Sequence, residues 1–159
     1  MNLRIGNGYD VHQLAPGLEL WLGGIKIEHE KGSVAHSDGD VLIHAICDAI
    51  LGAAGQRDIG VHFPDTSSEF KGIDSKILLK ETVRIVEEKG YRIVNIDCVL
   101  CLQRPKVKAL IPEMIATLAE VMGVDVGCVN VKATTTEKLG FVGREEGIEA
   151  HAVALLYKV

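Results

Sequence analysis

The sequence predicts an α+β domain in which one mixed β-sheet carries helices on one face. Three observations lead there. Alternating apolar runs open and close the chain, three capped helical segments lie between strands, and the apolar residues are aliphatic. Hydrophobic residues make up 47% of the 159 residues and aromatic ones only 4%, so Val, Ile, Leu and Ala must build the core. Helices on one face leave the other uncovered, and self-assembly is the expected way to bury it.

The elements follow in order. Leu3 to Tyr9 reads as a first strand. Leu18–Leu22 and Ile25–Glu28 alternate on either side of Gly23-Gly24, a two-residue hairpin signal. Lys31 to Gly39 is polar and reads as a loop. Asp38 or Asp40 then caps a helix from about Val41 to Ala54, stopped near Gly55. Gln56 to Gly72 reads as loop, and a second helix spans about Ser75 to Lys89 between an Asp74 cap and Gly90. Tyr91 to Leu102 alternates as a strand, its even positions apolar from Val94 onward. A third helix lies between about Lys106 and Met122, with Pro112 breaking it or opening its main part. Val129–Ala133 and Ile148–Tyr157 are the last strands. No repeat or linker divides residues 1–159, which read as a single domain.

Composition excludes several function classes. The net charge is −5 and no Lys/Arg stripe exists, which argues against a nucleic-acid surface. No run approaches the roughly 20 apolar residues that span a bilayer. Met1–Gly6 lacks a signal-peptide layout, so the cytoplasm is the expected location. Four cysteines at 47, 98, 101 and 128 are too few for a disulfide scaffold. Cys98 and Cys101 lie three apart in a strand, so they face opposite sides and read as core cysteines.

Asp10, His12 and His44 are the residues that point to chemistry. Asp10 and His12 are two apart on a strand end and share a face. His44 falls about one turn into the first helix, with Asp40 four residues before it. One carboxylate and two imidazoles leave a tetrahedral position open, which is the ligand count of a working zinc ion. Asp38, Asp40 and Asp48 are candidates to orient the imidazoles, and capping is an equal alternative for them. Three threonines, Thr134 to Thr136, end a strand and offer hydroxyls and backbone donors to phosphate oxygens. Glu137 beside them could hold a magnesium or manganese ion. By themselves these threonines fit an edge-strand terminus equally well.

Taken in order, Gly8–His12, His36–Asp40 with His44, Asp58–Gly60, Phe63–Asp65 and Val129–Phe141 resemble the 2-C-methyl-D-erythritol 2,4-cyclodiphosphate synthases. The resemblance runs almost end to end. It implies a homotrimer whose open sheet faces point inward, with an active site at each subunit boundary. It implies Zn2+ on Asp10, His12 and His44, and Mg2+ or Mn2+ near Glu137 bridging a diphosphate. His36 and Thr135 match transition-state-stabilising positions. His36, Ser37, Asp58, Ile59, Gly60 and Asp65 match positions that hold the methylerythritol phosphate, and Asp10, Val11, His12 and Phe63 match further substrate-binding positions. The loop from Leu102 to Lys108, through Leu102, Pro105, Lys106, Val107 and Lys108, would receive the cytidine with Ala133, Thr134, Thr135 and Thr136, and Glu137 also matches a substrate-binding position. Phe141 and Arg144 match a cavity on the trimer axis that holds isoprenoid diphosphates in the family, and Glu145 adds a carboxylate beside it. The implied reaction closes a cyclic diphosphate and releases CMP. The same metal ligands would also serve a zinc-dependent phosphoesterase, or an ion that only fixes a trimer interface.

Overall fold

A computed structural model describes residues 2–159. Its main sheet has five strands in the order β4-β1-β7-β5-β6: β1 (Leu3–Pro16), β4 (Lys31–Val34), β5 (Tyr91–Cys101), β6 (Val129–Thr134) and β7 (Gly147–Lys158). β5 and β6 run parallel and the other neighbours antiparallel, so the sheet is mixed. The parallel pair needs a crossover, and α4 (Ile111–Met122) provides it, with Pro112 in its first turn. The hairpin β2 (Leu20–Leu22) and β3 (Ile25–Ile27) stands apart as a second, two-stranded sheet instead of joining the first. Both turn glycines have positive φ, 62° and 81°, as a tight hairpin requires.

Two expected loops are partly ordered. Lys31–Val34 pairs with the end of β1 as the edge strand β4. Ile59–His62 forms the one-turn helix α2, whose first N–H is held by the Asp48 carboxylate at 2.7 Å. Neither segment has apolar periodicity, and both are held by tertiary partners. On β5 a register shift between Ile93 and Asn95 turns Val94 outward, so burial begins at Ile96 and not at Val94.

α1 (Val41–Ala53) is apolar nearly all round, which suits a helix buried on every side. It lies across β1 and β7 beneath α3 (Ser75–Glu88), while α4 covers β6. The inner sheet face is built for close approach. A Cβ at Gly6 would sit 2.0 Å from the Ala49 carbonyl, and one at Gly8 would sit 1.9 Å from that of Ala45. Ala150, Ala152 and Ala154 of β7 continue this low surface. The opposite face carries exposed Ile5, Tyr9, Val11 and Val153. Helices therefore cover one face of the main sheet, as the sequence predicts.

Candidate metal centre

Strand alternation aims Asp10 and His12 at α1, just beyond the glycines that let the helix come close. His44 meets them from the helix. Asp10 Oδ2 is 3.0 Å from His12 Nε2 and 3.1 Å from His44 Nδ1. The two ring nitrogens are 3.1 Å apart. Ligand atoms on a tetrahedral zinc with bonds of about 2.0–2.1 Å stand about 3.3 Å from one another. The three atoms form a triangle near that size, so the residues fit such an ion.

The far nitrogen of His44 fixes its role. His44 Nε2 lies 2.9 Å from Ser75 Oγ, whose own hydroxyl donates to Asp38 Oδ1 at 2.5 Å. With that proton committed to Asp38, the serine oxygen accepts from His44 Nε2–H, which leaves Nδ1 facing Asp10 and His12, a donor to Asp10 when the ring is protonated and a lone pair for an ion when it is not. Asp38 thus acts through Ser75. Asp40 does not orient an imidazole: its buried carboxylate accepts from Gly23 N at 3.0 Å, Gly24 N at 2.7 Å and Ile43 N at 3.0 Å. It caps α1 and pins the hairpin. Asp48 likewise serves α2. Ser75 carried no sequence signal beyond its place after a helix cap.

Burial tends to raise the Asp10 carboxyl, but hydrogen bonds from His12 and His44 outweigh it and hold it at about 2. Burial disfavours a charged His44, yet the hydrogen bond and charge of Asp10 raise its pKa above the ordinary histidine value.

The triangle opens into a cleft of about 430 Å³ lined by His12, His36, Ser37, His44, Ile59, Gly60, Phe63 and Asp65. Ala35, Phe70, Ile73 and Leu78 complete its wall, outside the residues that the sequence points to. His36 Nε2 lies 3.1 Å from the Ser67 carbonyl. No Lys or Arg lines this cleft, so an anion entering it meets positive charge only from histidine or a bound ion. A larger groove of about 870 Å³ beside it contains Phe63 alone of the candidate residues. The Val11 side chain lies on the opposite sheet face, so only its backbone is on the Asp10 side. Asp58 is exposed at the start of α2.

A second cleft of about 220 Å³ gathers Leu102, Gln103, Pro105, Lys106, Val107 and Lys108 of the expected loop with Ala133, Thr134 and Thr135. Thr134 and Thr136 donate their hydroxyls to backbone carbonyls, whereas Thr135 Oγ1 accepts from Glu137 N at 3.3 Å and keeps its proton for another acceptor. Glu137 and Lys138 both take positive φ, 54° and 63°. Consecutive non-glycine residues in this region carry a strain of about 1 kcal/mol or more each, and such strain concentrates at functional loops. Phe141 and Arg144 line neither cleft. Phe141 packs against Gly147, and Arg144 pairs with Glu146 at 3.0 and 3.1 Å.

The two clefts share no lining residue. The register runs Asp10 to Ala150, Ala150 to Leu100, and Leu100 to Ala133, so Asp10 and Ala133 stand level in the sheet, three strand spacings apart. At about 4.8 Å per spacing that is about 14 Å.

The YgbB family model matches residues 3–157. A Bacteroides fragilis protein, named 2-C-methyl-D-erythritol 2,4-cyclodiphosphate synthase, is 63% identical over the whole of both chains. One from Phocaeicola vulgatus with the same name is 65% identical over 99% of each. Among solved structures, the bifunctional IspDF from Campylobacter jejuni aligns at TM-score 0.96 and 44% identity, over 99% of this chain and 43% of that one. A CDP complex of IspF from Plasmodium falciparum aligns at TM-score 0.86 and 36% identity, over 99% and 97%. A family model over residues 3–157 and relatives 63% and 65% identical over essentially the whole chain show that it belongs to the YgbB family.

Proposed function

We propose that the chain converts 4-diphosphocytidyl-2-C-methyl-D-erythritol 2-phosphate into 2-C-methyl-D-erythritol 2,4-cyclodiphosphate and CMP, in non-mevalonate isoprenoid biosynthesis. The relatives' name carries the activity class, and the Asp10–His12–His44 triangle opening into a cleft without Lys or Arg carries the assignment to this site.

In this reaction the 2-phosphate oxygen attacks the β-phosphorus, the bond to CMP breaks, and no water or protein nucleophile takes part. Catalysis then consists of bringing two anions together and stabilising charge on phosphoryl oxygens. Asp10, His12 and His44 would hold a zinc-class ion, which would supply Lewis acidity and a template for phosphate, and Glu137 would hold Mg2+ or Mn2+, which would offset diphosphate charge. His36 and Ser37 line the same cleft as His12 and His44 and bind the methylerythritol phosphate with Ile59, Gly60, Phe63 and Asp65 of that cleft and with Asp58 beside it. Thr135 donates its free proton to a diphosphate oxygen. Lys106 and Lys108, beside Leu102, Pro105 and Val107, hold the cytidine portion in the second cleft. The CDP complex of a structural relative supports a cytidine-type ligand.

A cleft holding the triad and a cleft holding Thr135, about 14 Å apart across the sheet, do not meet on one small substrate. That separation supports a site shared between copies, and with the homotrimer that the resemblance implies, each site would join the metal half of one copy to the threonine half of the next. The apolar open face is buried inside, and Phe141 and Arg144 lie toward the trimer axis.

The test is to incubate the protein with the full substrate and follow products by phosphorus NMR. CMP and a cyclic diphosphate are expected, with CMP release reduced at least about 100-fold in His44→Ala. A linear hydrolysis product would instead identify a phosphoesterase, and an unchanged rate in His44→Ala would leave the ion a purely structural role.

A further inference from the structure

The open sheet face carries a cluster that the reaction does not use. Glu149 and His151 are two apart on β7 and share that face, and Cys101 of β5 stands directly opposite Glu149. One ligand atom from each lies within 4.8 Å of the others. Tyr9 of β1 stands opposite His151, with ring centroids 5.0 Å apart, and its hydroxyl donates to Glu149 Oε2 at 2.9 Å. The carboxylate is thus oriented, as metal-binding carboxylates commonly are. Among the described residues no Lys or Arg forms an ion pair with Glu149, although apolar Val11 stands directly opposite it on the face. A carboxylate in such surroundings needs a compensating cation once the face is covered.

We infer that Cys101, Glu149 and His151 form a second cation site, taking one divalent ion of the zinc class through sulfur, oxygen and nitrogen. Thiolate and imidazole select zinc-like ions over magnesium or calcium. Binding moves the Cys101 thiol proton to solvent, and the thiolate and carboxylate together match the two charges of the ion. The resulting neutral centre can be covered by a neighbouring copy without leaving a charge unpaired. It differs from the first site in position and in donors: Asp10 and His12 lie on β1, on the helix face of the sheet, and that set contains no sulfur. Burial and the charge of Glu149 push the Cys101 thiol up, so without an ion it stays protonated and unreactive.

Cobalt(II) separates the two sites, since only a sulfur ligand gives an intense thiolate-to-cobalt charge-transfer band in the near ultraviolet. Metal-stripped protein, kept reduced with a non-thiol reductant, is titrated with Co2+ alone. The band should grow and saturate at one ion per chain, persist in His44→Ala and vanish in Cys101→Ser. The exposed His151→Ala leaves folding undisturbed and should weaken the cobalt affinity read from the band about tenfold or more. No thiolate band at saturating Co2+, an undiminished band in Cys101→Ser, or an unchanged affinity in His151→Ala would each overturn the assignment. The readout needs no turnover, so it stands or falls apart from the cyclase activity.

Discussion

Ser75 Oγ stands between two partners, 2.9 Å from His44 Nε2 and 2.5 Å from Asp38 Oδ1. It is fully buried and unites the polar loop before α1 with the first turn of α3. Through it, a carboxylate that never touches the metal triangle decides which nitrogen of His44 faces that triangle.

Removing the hydroxyl should loosen the imidazole without removing a ligand. Ser75→Ala is expected to weaken zinc binding about 10–100-fold. Competition with a chromophoric chelator measures this, and saturating zinc should restore much of the CMP-release rate. Unchanged affinity would show that packing alone orients His44.

Gly8 sets the distance between β1 and α1. A methyl group there would meet the Ala45 carbonyl at 1.9 Å and the Ala49 N–H nitrogen at 2.7 Å, both backbone atoms that cannot rotate away. Gly8→Ala is expected to destabilise the fold by about 3 kcal/mol or more. It should also weaken zinc binding, because His44 rides on the displaced helix. Urea unfolding and the chelator competition read the two effects separately.

Protons compete with the ion at His44. In metal-free protein its pKa is raised by Asp10, so this contribution to stability is complete below about pH 6.5 and is lost as pH rises through the raised value. The Asp10 contribution is present above about pH 4 and fades as pH falls toward about 2. An ion must displace the His44 proton, so zinc affinity should rise by about tenfold per pH unit below that raised value. Melting temperatures with chelator and with excess zinc should therefore diverge as pH rises from about 5.5 to 8.5. Parallel curves would contradict the coupling.

Asp40 should be the most sensitive aspartate for folding. Asp40→Ala strips three buried backbone N–H groups of their acceptor and is expected to cost about 3 kcal/mol or more in chemical denaturation. A cost below about 1 kcal/mol would imply that water replaces the carboxylate.

α3 and α4 were legible because each pairs an apolar period with a cap, Asp74 before Ser75 and Gly123 after Met122, and α1 because Asp40 caps an apolar run. The first strand, by contrast, reads as Leu3 to Tyr9, whereas β1 continues to Pro16 by pairing with β7 and β4. Lys31–Val34 and Ile59–His62 were not, since one is ordered by the end of β1 and the other by Asp48. The metal triad could be read because Asp10 and His12 share strand parity and His44 opens a capped helix. Ser75 could not, as its partners lie 31 and 37 residues away. Asp40 was read as a possible partner of His44 from helical spacing, yet three N–H donors from elsewhere claim its carboxylate. Cys101 read as core because alternation gives its side of the strand but not the neighbours Glu149 and His151 that await it there.

The claim that one site is shared between copies is tested most directly by complementation. His44→Ala and Thr135→Ala chains are co-expressed, purified together and assayed for CMP release against each variant alone. Random assembly should restore about one quarter of the unmodified activity, because an intact site needs the metal half from one variant and the threonine half from the other. If the mixture is no more active than the separate variants, each site lies within one chain and the account fails.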